Sequence, residues 1–134
     1  MDEVGIPFPE QRTVIRTVRL RNTLLAADIK RKYDNTCQIC KQRLELVEGT
    51  YAEAHHVKPI GSPHNGPDRE GNIVVVCPNH HVMFDRGALK IDPHTLTISH
   101  IRRAFEPRTL YIASWHRIDR RMLSYYMSNI FGKA

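Results

Sequence analysis

The chain has 134 residues and a mass of 15.5 kDa, room for one domain with a modest core, and its 41% hydrophobic and 25% charged residues are those of an ordinary soluble globular protein. No apolar run approaches the roughly 20 residues of a membrane span, and the acidic start Met1-Asp2-Glu3 lacks the apolar stretch of a secretory signal, so the expected location is cytoplasmic. The net charge of +6 is uneven: residues 1–36 carry +2, residues 37–98 carry −1 and residues 99–134 carry +5, so basic flanks suited to a polyanion enclose a near-neutral middle.

Residues 1–10, with Pro7 and Pro9, read as an irregular arm. Residues 11–34 read as a helix, because Val14, Val18, Leu25 and Ile29 recur at near-helical spacing. Arg12, Arg16 and Arg19 form a row on another face, either a solvated surface or a contact for nucleic-acid phosphates. Asp34-Asn35 ends the helix, and Cys37-Gln38-Ile39-Cys40 follows as a knuckle. Residues 51–57 read as a short strand, and Pro59 to Gly71 as a long polar loop. Ile73-Val74-Val75-Val76 is a continuous β-branched run, expected as a buried strand. Pro78 opens a second helix that Gly87 stops. Leu89–Asp92 and Thr95–Ile98 are expected to pair across an Asp-Pro-His turn. Residues 117–130 form the last expected helix, lined on one side by Ile118, Met122, Tyr125, Tyr126 and Ile130. That side is read as core rather than dimer surface.

Cysteine and histidine usage concentrates the chemistry in the middle segment. Cys37-x-x-Cys40 and Cys77-x-x-His80 are two close pairs separated by 36 residues, the pattern of a closed structural zinc site. A redox pair at Cys37 and Cys40 would belong at a helix start in a βαβ unit, which is missing from the pattern. The expectation is one structural Zn²⁺ held by Cys37, Cys40, Cys77 and His80, with His81 the competitor for the fourth position. Such a clip closes a long loop, where a small core gains most.

The second constellation is Ala54-His55-His56-Val57-Lys58-Pro59, Gly71-Asn72-Ile73 and His81-x-x-x-Asp85. Adjacent strand residues face opposite ways, so only one of His55 and His56 can join a given metal while the other serves as a base. His81 and Asp85, at i and i+4, share a helix face and can share one ion. A divalent metal with a histidine base suffices for phosphodiester hydrolysis. His64, His94, His100 and His116 read as surface or satisfied core residues.

In this order the motifs resemble the HNH (His-Asn-His) nucleases, which share the ββα-metal fold. The resemblance runs from Cys37 to Asp92 and includes Cys77-x-x-His80-His81-x-x-x-Asp85-Arg86-Gly87. It implies an α+β fold: a zinc-stabilised ββα-metal core at 37–92, an N-terminal arm and basic helix at 1–36, and a C-terminal hairpin strand and helix at 93–134, all in one compact domain. It implies a metal-dependent DNA endonuclease of prokaryotic restriction type, using a one-metal mechanism and leaving 5′-phosphate ends. His55 and His81 correspond to ligands of the catalytic divalent ion, Mg²⁺ or Mn²⁺, with Ni²⁺ or Zn²⁺ as alternatives. His56 corresponds to the general base and Asn72 to the residue that pins the loop. Asp85 stands where some members carry a third ligand, often His, so it is either a ligand or a helix-end brace; His80 replaces a more frequent cysteine. Arg86 supports the phosphate or simply the helix C-terminus. Arg12, Arg16, Arg19 and Lys58 are the expected DNA contacts.

Other readings compete with this one. One is a non-catalytic zinc-stapled DNA-binding module, another a protein-interaction zinc domain, and a third the nuclease piece of a larger modification-dependent restriction enzyme. A binding module has no use for His56, Asn72 and His81 together, which favours the enzyme. A monomer would nick DNA, whereas a symmetric homodimer could cut both strands.

Overall fold

A computed structural model describes residues 24–102 and 107–133. Helix α1 occupies residues 24–32, within the helix expected over 11–34. The rest of that expectation, the arm and the row Arg12, Arg16 and Arg19 lie outside the described residues. Asp34 and Asn35 end α1 at positive φ, a conformation these two residue types tolerate better than most.

Among the described residues the architecture is α+β, built from short antiparallel strands, three α-helices and a 3-10 turn at Glu70–Asn72. Strands β1 (Leu44–Leu46) and β2 (Gly49–Tyr51) make a hairpin that the sequence pattern did not reveal, because its apolar residues Leu44, Leu46 and Val47 stay exposed. Beyond Ala52 the chain enters β3 (Glu53–His56), so the strand expected over 51–57 is two strands. β3 pairs with β4 (Ile73–Val76), setting His55 opposite Val74 and His56 opposite Ile73. Helix α2 (Pro78–Asp85) follows with Pro78 at its start. It stops at Gly87, whose φ of +72° suits glycine and where a Cβ would meet the Ile130 carbonyl oxygen at 2.4 Å.

Strands β5 (Leu89–Ile91), β6 (Thr97–His100) and β7 (Arg108–Thr109) form a second sheet. β6 begins two residues later than expected. The Asp92 carboxylate accepts from the backbone N–H groups of His94 and Thr95, and Leu96 turns at positive φ, so the turn takes up Thr95 and Leu96. Helix α3 (Arg120–Asn129) starts where Asp119 caps the Arg121 N–H, three residues after the expected boundary.

Every residue of β4 is buried, which explains its unbroken β-branched run. Val74 and Val76 join Phe84, Leu89, Ile91, Ile98, Leu123 and Tyr126 in the main core, while Ile73 and Val75 pack with Ile29, Tyr33 and Ala52 from the α1 side. The inward side of α3 is core, as expected, but its centre includes Leu123, which the expected stripe omits. Tyr125 instead meets the loop after β3: its hydroxyl lies 2.6 Å from His64 Nδ1, and Lys58 Nζ sits 4.4 Å from its ring centre. No helix among the described residues is long and apolar enough to cross a membrane.

Candidate active site and metal centre

The knuckle is held against β4 by one side chain. Gln38, fully buried, exchanges two 2.8 Å hydrogen bonds with Val75: its N–H donates to the Val75 carbonyl, and its Oε1 accepts from the Val75 N–H. Its Nε2 and carbonyl engage the backbone of Tyr111 in the same way. Gln38 thus stands in for a third strand beside β4 and fixes the position of Cys37 and Cys40. Nothing in the sequence distinguished it from an ordinary polar knuckle residue.

Across the knuckle lies the start of α2. Cys37, Cys40, Cys77 and His80 bring their donor atoms within 4.8 Å of one another. Cys40 Sγ is 4.0 Å from Cys77 Sγ, and His80 Nδ1 is 3.2 Å from Cys77 Sγ and 3.9 Å from Cys37 Sγ. A tetrahedral ion with ordinary zinc bond lengths needs separations of about 3.8 Å for S···S and about 3.5 Å for S···N. The donor set therefore fits a metal ion in both chemistry and spacing. His81 does not compete for it, since its ring engages Glu53. Burial pushes the Cys40 thiol up to about 12 and raises Cys77 as well. It works against ionisation of Cys37 too, but the His80 ring and nearby backbone N–H groups outweigh it and bring that thiol down to about 6.

The second constellation sits on β3, the loop and α2. His55 is 4% exposed, its ring packed on Phe84 at a 32° tilt with centroids 4.2 Å apart and edge-on to His81 at 5.3 Å. Burial holds its pKa well below 6.5, so it is a neutral imidazole, and its Nε2 is buried without a hydrogen-bond partner. Such an orphan is rare and needs a reason; a neutral ring with an uncommitted nitrogen is the donor a divalent ion takes. His81 Nδ1 lies 2.7 Å from Glu53 Oε1. Because a carboxylate only accepts, Nδ1 carries a proton, and in the neutral ring Nε2 then has the lone pair, the arrangement of a carboxylate-oriented metal ligand. Burial works to raise the Glu53 carboxyl, but hydrogen bonds from Tyr51 and His81 outweigh it and hold it below its ordinary range. Glu53 escaped the sequence reading, although it lies two residues before His55 on one strand and therefore on the same face.

His56, on the other face, places Nε2 2.8 Å from Asp68 Oδ1. Asn72, 1% exposed, accepts from the Lys58 N–H through Oδ1 and donates through Nδ2 to the Lys58 and Pro67 carbonyls, each at 2.9 Å. The structure thus brings His55, His56, Asn72 and His81 into one region. His55, His81 and Asp85 do not all bring donor atoms within 4.8 Å of one another. Asp85 is exposed at the end of α2, on a cleft of about 330 Å³ shared with His64, Arg86, Asn129, Ile130 and Lys133. Among the described residues, the Cys37, Cys40, Cys77 and His80 set alone brings three or more such donors within 4.8 Å. Arg86 is exposed and also lines a second cleft with His100, Arg102 and Lys133. Lys58 rests on the Tyr125 ring at the mouth of the loop.

Residues 37–92 match the model of a family described as HNH endonuclease. Among solved structures, the chain is similar to one described as a modification dependent TagI restriction endonuclease, with a TM-score of 0.74 and 32% identity. That likeness covers 80% of this chain and 37% of the other, so this chain spans little more than a third of its structural relative. No curated protein sequence matches the chain.

Proposed function

We propose, from the match of residues 37–92 to the HNH endonuclease family and the likeness to a restriction endonuclease, that the chain hydrolyses DNA phosphodiester bonds with His56 as general base and one divalent ion held by His55 and His81. The observation that carries this reading is the division of labour on β3. His55, neutral and buried, packs its ring against Phe84 and His81 of α2 and keeps an unpartnered Nε2, while His56 presents its ring on the opposite face. One strand thus supplies a ligand and a separate base.

His56 takes a proton from the attacking water as the water oxygen bonds to phosphorus. The bond from phosphorus to the 3′ oxygen breaks, and that oxygen takes a proton from solvent, leaving a 5′-phosphate. A divalent ion such as Mg²⁺ or Mn²⁺ supplies neutralisation of the charge that develops on the phosphate and leaving oxygen. Asn72 fixes the loop that follows His56, and Glu53 fixes the tautomer of His81. Arg86, Lys58 and the Arg12, Arg16 and Arg19 row grip phosphates by charge. The Cys37, Cys40, Cys77 and His80 site holds zinc as a structural clip. Asp85, the last residue of α2, braces the helix end beside Arg86.

The likeness to a modification-dependent enzyme, of which this chain spans 37%, favours a second layer to the reading: the choice of DNA target rests with a recognition module outside these 134 residues. Metal-dependent cleavage of plasmids with and without methylated or hydroxymethylated cytosine tests both layers. Cleavage of each alike supports an autonomous, unselective nuclease domain. No cleavage of either with any divalent ion would sink the enzymatic reading.

A further inference from the structure

We propose that Asp68 is the positioning residue of the general base: its carboxylate holds the Nε2–H of His56 and so leaves Nδ1 as the atom that takes the proton from water. The proposal rests on the hydrolytic reading above. No sequence motif drew attention to Asp68, which lies in the long loop between β3 and β4, and it acts on substrate only through His56.

The geometry is specific. His56 Nε2 and Asp68 Oδ1 are 2.8 Å apart. A carboxylate has only acceptor sites, so the shared proton belongs to the ring, and a neutral imidazole with Nε2–H has its lone pair on Nδ1. Histidine without such a partner divides itself between two tautomers and several ring orientations, each a loss for a base that must meet one water. The carboxylate also stabilises the imidazolium formed once the proton has been taken.

Asp68 is held in place by the neighbouring backbone. The Asn72 side chain grips the Pro67 carbonyl immediately before Asp68 and the Lys58 peptide two residues after His56. One buried amide therefore fixes the two chain segments that carry the acid and the base. Gly66 allows the segments to approach: its N–H donates to the Pro59 carbonyl at 2.7 Å, and a Cβ there would meet the Lys58 carbonyl oxygen at 2.0 Å. The loop is built to bring Asp68 back to the strand, although an exposed contact of this kind contributes little to stability.

The test compares wild type, Asp68→Ala and Asp68→Glu as full chains in two measurements. In the first, long-range ¹H–¹⁵N spectra without added divalent ion read the His56 tautomer. Wild type should show Nε2–H, and Asp68→Ala should show a mixture. In the second, single-turnover plasmid cleavage is measured at saturating Mn²⁺ alongside DNA affinity. Asp68→Ala should lower the rate by roughly 10- to 100-fold, within what a well-placed base contributes, with affinity unchanged or tighter because an anion has been removed. Asp68→Glu should restore part of the rate. An Nδ1–H tautomer in wild type, or an Asp68→Ala rate within about twofold of wild type, would overturn the proposal. A rate recovered by raising Mn²⁺ would overturn it too, making Asp68 a metal ligand. An inactive wild type would overturn the hydrolytic reading and this role with it, an outcome separable from the others because the variants are then not distinguished by rate.

Discussion

Asn72 and Lys58 pair as two peptide groups would: the side-chain Oδ1 of Asn72 accepts the Lys58 N–H, and its Nδ2 donates to the Lys58 carbonyl, both at 2.9 Å. The backbone ladder runs one bond past the His56 and Ile73 pair, from the Val57 N–H to the Asn72 carbonyl, and the Asn72 side chain then extends it to Lys58. A third bond to the Pro67 carbonyl closes the loop.

The consequence is measurable. Asn72→Ala removes three partly buried hydrogen bonds and strands the Lys58 N–H, a cost of about 3 kcal/mol in urea-induced unfolding. Amide exchange in that variant should quicken across residues 57–67 and remain slow in α3. An unchanged stability would show that the loop is held by other contacts.

Removal of the clip metal should also be costly. The Cys37, Cys40, Cys77 and His80 set joins the knuckle to α2, so chelation or Cys77→Ser should lower stability by about 3 kcal/mol or more, roughly 10 °C at this size. In metal-free protein at neutral pH, Cys40 and Cys77 keep their protons and Cys37, at about 6, does not. Zinc uptake at pH 7 should then release about two protons, and the apparent affinity should fall as pH falls. A pH indicator in weak buffer reads the release directly; none at all would contradict the thiol assignment.

Burial of His55 has a further effect on stability. Its folded pKa lies well below 6.5, whereas the unfolded chain takes up the proton near 6.5. The unfolded state therefore binds more protons as pH drops, and the stability that neutral His55 contributes above 6.5 is lost as pH falls toward its folded value. Urea midpoints of protein with no added divalent ion should decline below about pH 6.5, and His55→Asn should flatten that decline. An equal slope in the variant would assign the effect to other groups.

Much of this site was legible because its signals are short in sequence. The pairs Cys37/Cys40 and Cys77/His80, the β-branched run of β4 and the Pro78-to-Gly87 helix each sit within a few residues, and their spacing translates directly into geometry. The fold class followed from the same segments. The partners of the histidines were not legible. Glu53 and Asp68 are single carboxylates in a chain with 14 acidic residues, and only folding sets them against His81 and His56. Gln38 was hidden for the same reason, as its role depends on the backbones of Val75 and Tyr111 lying on either side. The i, i+4 rule put Asp85 on the His81 face; Asp85 is the last residue of α2 and lines the cleft with Arg86 and Lys133, which spacing alone did not indicate.

The central claim is that His56 is the base of a metal-dependent DNA hydrolase. Cleavage of supercoiled plasmid by wild type and His56→Ala, each stripped of loosely bound metal and resupplied with Mg²⁺ or Mn²⁺, tests it most directly. Wild type should cut only with added ion, and His56→Ala should lose roughly 100-fold or more in rate while binding the same DNA and retaining its clip metal. Undiminished cleavage by His56→Ala would contradict the account.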